Sequence, residues 1–305
     1  MLNKQKILFD IFNRILLGIL VIFIITTLVF LFSQIIPGGP FDGIKNLSSE
    51  IKKIQEEIYG LNKPIIIQYL LYLKNIFFFN FGISIHQRGT AVTKIINDTY
   101  KYSLYVGLSS ALLAFILGIL IGCLAAIKNK KTFDKIVTFL TLSLISIPLF
   151  VIACLCNKTL SGFFSSEGLM RFFLPIIVLS IPPLCSIIRL TKSTILTVLN
   201  TNYIKAIRAK GANEKNILIK HALPNSIVPI ISYMGPMFAD IITGNIIVEH
   251  SFNIPGVGGS YVSFIYNKDY PVIMGMTIFF TTIIVAAILI SDILCILINP
   301  NIDIN

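Results

Sequence analysis

The sequence predicts an all-α integral membrane protein with six transmembrane helices, and three observations carry that prediction. The 305-residue chain is 55% hydrophobic and only 13% charged. Its mean hydropathy is +0.85, well above that of a soluble chain of this length. It also contains uncharged apolar runs long enough to cross roughly 30 Å of hydrocarbon as helices of about 20 residues.

The first run, residues 15–36, is too long for the apolar segment of a cleavable signal peptide, and no small-residue cleavage site follows it, so it reads as a span. Pro37, Gly38, Gly39 and Pro40 force the chain out of helix. A long extracellular loop follows over 37–101. In it Ile51, Ile54 and Ile58 recur at helical spacing, with Ser49 available as cap and Gly60 just past the end, which predicts a helix over 49–59. The apolar run at 63–79 is expected to lie against the membrane surface or the spans, because Lys63 and Lys74 bracket only ten residues.

Residues 102–127 and 136–157 supply the second and third spans. Three more carry interruptions: 172–188 holds Pro175, Pro182 and Pro183, 226–248 holds Asp240, and 272–298 holds Asp292. Pro148, Pro182, Pro183, Pro229 and Pro236 fall inside spans and read as static kinks whose freed carbonyls find neighbours. The chain thus divides into the N-terminus with its first span (1–36), the extracellular loop (37–101) and a transmembrane core (102–305) containing a long loop at 189–225.

Positive charge sets the orientation. With six spans both termini share a side. That side also holds Lys128, Lys130, Lys131 and Lys135 in one short loop, seven Lys or Arg in the 189–225 loop, and Lys4, Lys6 and Arg14 at the N-terminus. Lys158, Arg171 and Lys268 mark the opposite side. The 37–101 loop exceeds the length of about 60 residues over which the charge rule informs. Both termini are therefore expected in the cytoplasm. The net charge of +11 follows from lipid-facing cytoplasmic loops, so nucleic-acid binding is not needed to explain it.

Cys123, Cys154, Cys156, Cys185 and Cys295 lie in or beside apolar runs without ligand-like spacing and read as small hydrophobes. His86, His221 and His250 fall in three separate loops. No metal site is expected. A membrane enzyme would need a clustered acid, base or nucleophile, which these scattered residues do not supply.

The most ordered polar stretch is YIKAIRAKGANEKNILIKHALPNS, residues 203–226. Asn202 can cap a helix through Lys210, Gly211 can end it in the left-handed conformation, and Asn213 can cap a second helix running to Leu223. Pro224 then suits the start of the fifth span. A loop that only fixes topology needs positive charge, but it does not need Ala206 and Ala209 on a narrow face, a Gly hinge and a second cap.

These residues resemble the cytoplasmic signature of ABC-importer permeases: Glu-Ala-Ala, then Gly, then Leu-Pro about a dozen residues on. Here Lys205, Ala206 and Ile207 stand first, followed by Gly211 and by Leu223-Pro224. Lys205 in place of Glu fits the dipeptide/oligopeptide/nickel branch, whose version is matched by Tyr203, Arg208, Ala209, Lys210 and Gly211, continuing in His221, Ala222, Leu223 and Asn225. PGGP resembles the branch's Pro-Gly-Asp-Pro, and GLNKPIIIQYL resembles its external loop. Glu249, Phe252, Pro255, Gly256, Gly258, Asp269, Tyr270 and Pro271 resemble its last external loop.

The resemblance implies a type I ABC importer permease fold in the bacterial inner membrane. It implies an ATPase-docking role for Tyr203, Ala206, Arg208, Ala209, Lys210, Gly211, Ala212, Leu223 and Pro224. It implies as partners a second homologous permease in a heterodimer, two cytoplasmic ABC ATPases and an extracellular solute-binding protein. The chain has no GxxxxGK[ST] loop, so the expectation is a transport subunit, not an enzyme, that binds no cofactor while the partner ATPase uses ATP and Mg. Di- or oligopeptides are the implied substrates, with nickel or another small solute as the alternative. An ion-coupled secondary transporter is the rival class, but it would call for repeated halves and an ion site of its own.

An acid left in lipid costs roughly 2.5 to 3.5 kcal/mol on insertion scales, so Asp240 is expected to face protein or a water-filled path. Two readings stay open for it: a pathway group meeting a cationic substrate end, and a carboxylate bonded to neighbouring spans. The resembled branch has a small residue here. Thr243 and Asn245 lie on the same stretch and complete the candidate path. Asp292, nearer the end of its span, is expected to be structural.

Overall fold

A backbone inside hydrocarbon has to satisfy its own N–H and C=O groups, and a helix does so within one segment. The computed structural model describes residues 2–35, 53, 63–87, 89–160, 162 and 168–298, and the long apolar runs within them are helical. The PGGP stop at 37–40 and, Lys53 apart, the helix expected over 49–59 lie outside the described residues.

The first span is α1 (Leu2–Ile35). Helix α2 (Ile65–Phe77) packs on it: the Tyr69 hydroxyl lies 2.7 Å from that of Thr27, and Phe30 stacks at an angle between Tyr69 and Tyr72. The 63–79 run therefore lies against a span. The second span is α3 (Val92–Ile127); its 36 residues extend about 54 Å, beyond the hydrocarbon thickness.

The third span departs from expectation. Instead of one helix with a static kink, the apolar run forms α4 (Thr132–Ser146) and α5 (Leu149–Leu160), bent by 98°. Proline disfavours the helical region for its predecessor, and Ile147 sits at φ −84°, ψ 123°, which ends α4; a new helix starts from the Pro148 carbonyl. Pro182 and Pro183 in α6 (Phe173–Leu199), by contrast, stay within a continuous helix. That helix runs well past its expected end at 188, since no Gly or Pro lies between Arg189 and Leu199 and the Lys192 ammonium is held by Asp134 at the start of α4.

Two short helices, α7 (Asn202–Ala209) and α8 (Glu214–Ile217), come next. A π-turned stretch, Leu218–Ala222, joins α8 to the fifth span, α9 (Leu223–Ile242). This span stops short of the expected 248 because Gly244, at φ +91°, turns the chain. Two short helices, α10 (Ile246–Ser251) and α11 (Val257–Tyr266), then lead to the last span, α12 (Tyr270–Ile298).

Small side chains let the central helices approach. Helix α3 buries Gly107, Ser110, Ala111, Ala114, Gly118, Gly122 and Ala125 at spacings of three and four, largely against α6. Helix α6 in turn buries Val178, Ile187, Thr191 and Ile195 completely. At the rim, Arg14 of α1 meets Asp292 of α12 at 3.1 Å, so Asp292 is a structural partner as expected. One end of the bundle gathers Arg14, Asp292, the 128–134 turn and the α7–α8 loop; the other gathers α10, α11 and the segment after α2.

Candidate functional site

The α7–α8 loop is built on an apolar underside. Ile204 and Ile217 are fully buried, and Leu218 and Ala222 pack with Ile195 and Ala126 at the ends of α6 and α3. Tyr203, Ala206, Arg208, Ala209 and Lys210 face outward. Helix α7 alternates accordingly, with a buried isoleucine one residue after Tyr203 and small or basic residues on the free face.

Gly211 ends α7 at φ +82°, with no atom within 4 Å of where a side chain would start. Ala212, half-buried, follows it. The turn is clasped: Arg208 Nε donates to Glu214 Oε1 at 2.6 Å and Nη2 donates to Oε2 at 3.1 Å. That bidentate hydrogen bond, with the carboxylate charge behind it, raises the guanidinium pKa from its ordinary value. Asn213 caps α8 by accepting from the Lys215 N–H at 3.3 Å. The other expected cap differs. Thr201, not Asn202, precedes α7, and its hydroxyl bonds the Val198 carbonyl, so Asn202 is the first helical residue.

The second helix is also not a separate element. Leu223 N–H reaches back to the Leu218 carbonyl, one residue further than in an α-helix. Pro224 has no N–H to give Lys220, and this widened turn accommodates its ring while the helix continues into α9. Asn225 then donates to the Tyr203 hydroxyl at 3.0 Å and to the His221 carbonyl at 2.7 Å. Tyr203 is thereby tied to the base of α9, and one unbroken rod runs from the loop into the span.

At the opposite end two acids are buried. Glu249 is 3% exposed; its Oε1 accepts from Ser103 of α3 at 2.6 Å, and its Oε2 accepts from the Gly259 N–H at 3.0 Å. Ser103 also accepts from the Val257 N–H at 2.8 Å. The carboxylate thus sits at the N-terminus of α11, where free N–H groups favour an anion. Glycine makes room for it: a Cβ on Gly256 would fall on the Glu249 carboxyl group, and one on Gly258 would come within 3.1 Å of its Oε2. Asp269, fully buried, accepts from Ser84 Oγ at 2.5 Å and from the N–H groups of Ile85 at 3.2 Å and His86 at 3.1 Å. Exposed Pro255 precedes the cradle, and buried Pro271 is the second residue of α12, where its missing N–H costs nothing.

Two of the candidate path residues meet at the end of α9, where the Thr243 hydroxyl lies 3.2 Å from the Asp240 carbonyl oxygen. Asp240 is exposed on α9, and among the described residues its carboxylate has no hydrogen-bond or ion-pair partner. Thr243 donates to the Ala239 carbonyl at 3.0 Å. Asn245 caps α10, accepting from the Val248 N–H at 3.0 Å. Sequence reasoning missed Ser103, Ser84, Gly244 and Glu214. Only Gly244 had a local signal, a Gly following an apolar helical run.

Residues 118–304, more than half of the chain, match the family described as binding-protein-dependent transport system inner membrane component. The chain is 34% identical over 290 residues to the dipeptide transport system permease protein DppB of Bacillus subtilis (strain 168), covering 93% of this chain and 94% of that one. It is 36% identical over 298 residues to the Lactococcus lactis subsp. cremoris (strain MG1363) protein of the same name, covering 96% and 98%. It is 33% identical over 300 residues to the oligopeptide transport system permease protein OppB of Escherichia coli (strain K12), again covering 96% and 98%. The inward-facing MetNI methionine ABC transporter shares the fold, with a TM-score of 0.57 at 18% identity over 68% of this chain and 97% of that one. The chain belongs to the binding-protein-dependent transport system inner membrane components: it is a multi-pass permease subunit of an ABC importer, a transport protein and not an enzyme.

Proposed function

We propose that the chain forms half of the substrate pathway of an ATP-driven peptide importer and receives its work through the α7–α8 loop. The observation that carries this reading is the clasped turn: an exposed helix, a Gly211 hinge at φ +82° and a capped second helix, continuous with α9. Moving a two-state pore from 1:99 to 99:1 takes a bias of about 5.5 kcal/mol. A rod joined to a span can transmit such a bias, whereas a loose basic loop cannot. Tyr203, Ala206, Arg208, Ala209, Lys210, Gly211, Ala212, Leu223 and Pro224 form or support the surface offered to the ATPase.

The partners in this reading are a second homologous permease completing the pore as a heterodimer, two cytoplasmic ABC ATPases that use ATP and Mg, and an extracellular solute-binding protein. The lysine-rich end of the bundle faces the cytoplasm together with both termini, in keeping with the positive-inside rule. The Glu249 and Asp269 cradles hold the extracellular end together. Asp240, Thr243 and Asn245 lie beside the path. Di- or oligopeptides are the substrates favoured by the names of the full-length relatives; nickel or another small solute is the alternative.

The test is to purify the chain with its partners and measure ATP hydrolysis with candidate ligands on candidate binding proteins. Stimulation by peptide-loaded binding protein supports the reading. Stimulation only by a metal chelate would replace the substrate, and a chain that recovers no ATPase would remove the coupling role.

A further inference from the structure

We infer that Asp240 is a specificity group of the permease itself, a counter-ion for the primary ammonium end of the transported solute; this rests on the peptide-importer reading above. The starting point is the surface of α9. Helices α1, α3 and α12 turn large apolar side chains outward, for example Leu20, Leu120 and Ile290, as lipid contact requires. Helix α9 leaves no large apolar side chain fully exposed, and Ile231, Met234, Phe238 and Ile242 are half-buried along α12. Its exposed positions include Pro229, Ser232, Pro236 and Asp240, which recur at spacings of three and four on one side. A face of that composition is unsuited to acyl chains, so it borders water or protein.

On this face the Asp240 carboxylate is unpartnered among the described residues. Helix α9 ends two residues later at Ile242, with its carbonyl end adding partial negative charge at the same place. The carboxylate and the helix end attract a cation together, and no basic side chain of the described chain answers them. Glu249 and Asp269 are committed to hydrogen-bonded cradles, whereas the exposed Asp240 carboxylate at the end of α9 is free to meet a solute. A peptide's free amino group has the charge and the three donors to fill that role; an acetylated one has neither.

The experiment uses the complete transporter in proteoliposomes with saturating binding protein. Uptake of one peptide is compared with that of its N-acetylated form, for wild type, Asp240→Asn and Asp240→Glu. The expected result is that Asp240→Asn lowers uptake of the free-amine peptide about tenfold or more, the scale of one hydrogen bond to a charged group. The acetylated peptide should be unaffected, and Asp240→Glu should stay near wild type. If Asp240→Asn lowers both peptides equally, or lowers assembly, the acid pairs with a neighbouring subunit and the inference is wrong; unchanged uptake of both overturns it equally. Wild type carrying neither peptide removes the peptide-importer reading, and the ammonium contact with it.

Discussion

Replacing Gly211 with valine perturbs the backbone alone. Gly211 sits at φ +82° with open space around it, so a new side chain meets no clash and the whole penalty is conformational. An L-residue in the left-handed region costs about 1–2 kcal/mol, and a β-branched one sits at the upper end. The chain can relieve this by swinging back to negative φ. That rotation carries α8 away from α7 and opens the Arg208–Glu214 clasp. The docking-competent geometry then falls in population about 5- to 30-fold, and the apparent affinity for the ATPase falls with it. Membrane levels should stay near normal, because the spans are untouched. Titrated ATPase recovery on the immobilised permease and uptake at matched expression provide the readout. Gly211→Asn should lose less than Gly211→Val, since Asn tolerates the left-handed region, and Lys215→Ala, on the solvated face, should do little. Normal recovery and uptake for Gly211→Val at equal expression would refute the coupling assignment.

Ser103→Ala leaves the buried Glu249 Oε1 without its hydroxyl donor and should cost about 1–3 kcal/mol, read as a lowered Tm in detergent; Gly256→Ala, whose methyl group falls on the same carboxyl group, should be worse. A Tm unchanged by both would mean that the cradle does not stabilise this end of the bundle. Asp269→Asn should release the 84–86 segment from α12, visible as faster hydrogen exchange at Ile85 and His86 with the spans still protected. On the proposed orientation, a cysteine at Lys53 should label from outside the cell and one at Lys130 should not, and the reverse pattern overturns that orientation. Purified alone, the chain should show no ATP hydrolysis above a mock preparation, while the chain from its native membrane should bring an ATPase with it.

Most of the bundle could be read from the sequence because hydrocarbon leaves a coarse signal: long uncharged runs punctuated by lysine-rich turns. The break in the third span could not. Residues on both sides of Pro148 are equally apolar, and composition does not distinguish a kinked helix from two helices bent by 98°. Pro182, Pro183, Pro229 and Pro236 show the other outcome in the same chain. The Gly211 turn and the Asn213 cap were legible because glycine conformation and capping are local properties. The fusion of α8 to α9 depends on a π-turn that no residue pattern announces. The Glu249 cradle was half visible: its glycines stand close in sequence, but Ser103, on another span, is a distant partner with nothing local to mark it. The Arg208–Glu214 clasp spans only the hinge, yet its geometry follows from the fold of the turn.

The claim that this permease works through an ATPase is tested most directly by uptake in proteoliposomes holding the complete complex, with the proton gradient collapsed by an uncoupler and ATP supplied at the α7–α8 side. The account predicts that peptide uptake continues at the rate seen without uncoupler and stops when ATP is withheld. Uptake that stops with the uncoupler while ATP is present, or that continues without ATP, would contradict it and place the chain among ion-coupled carriers.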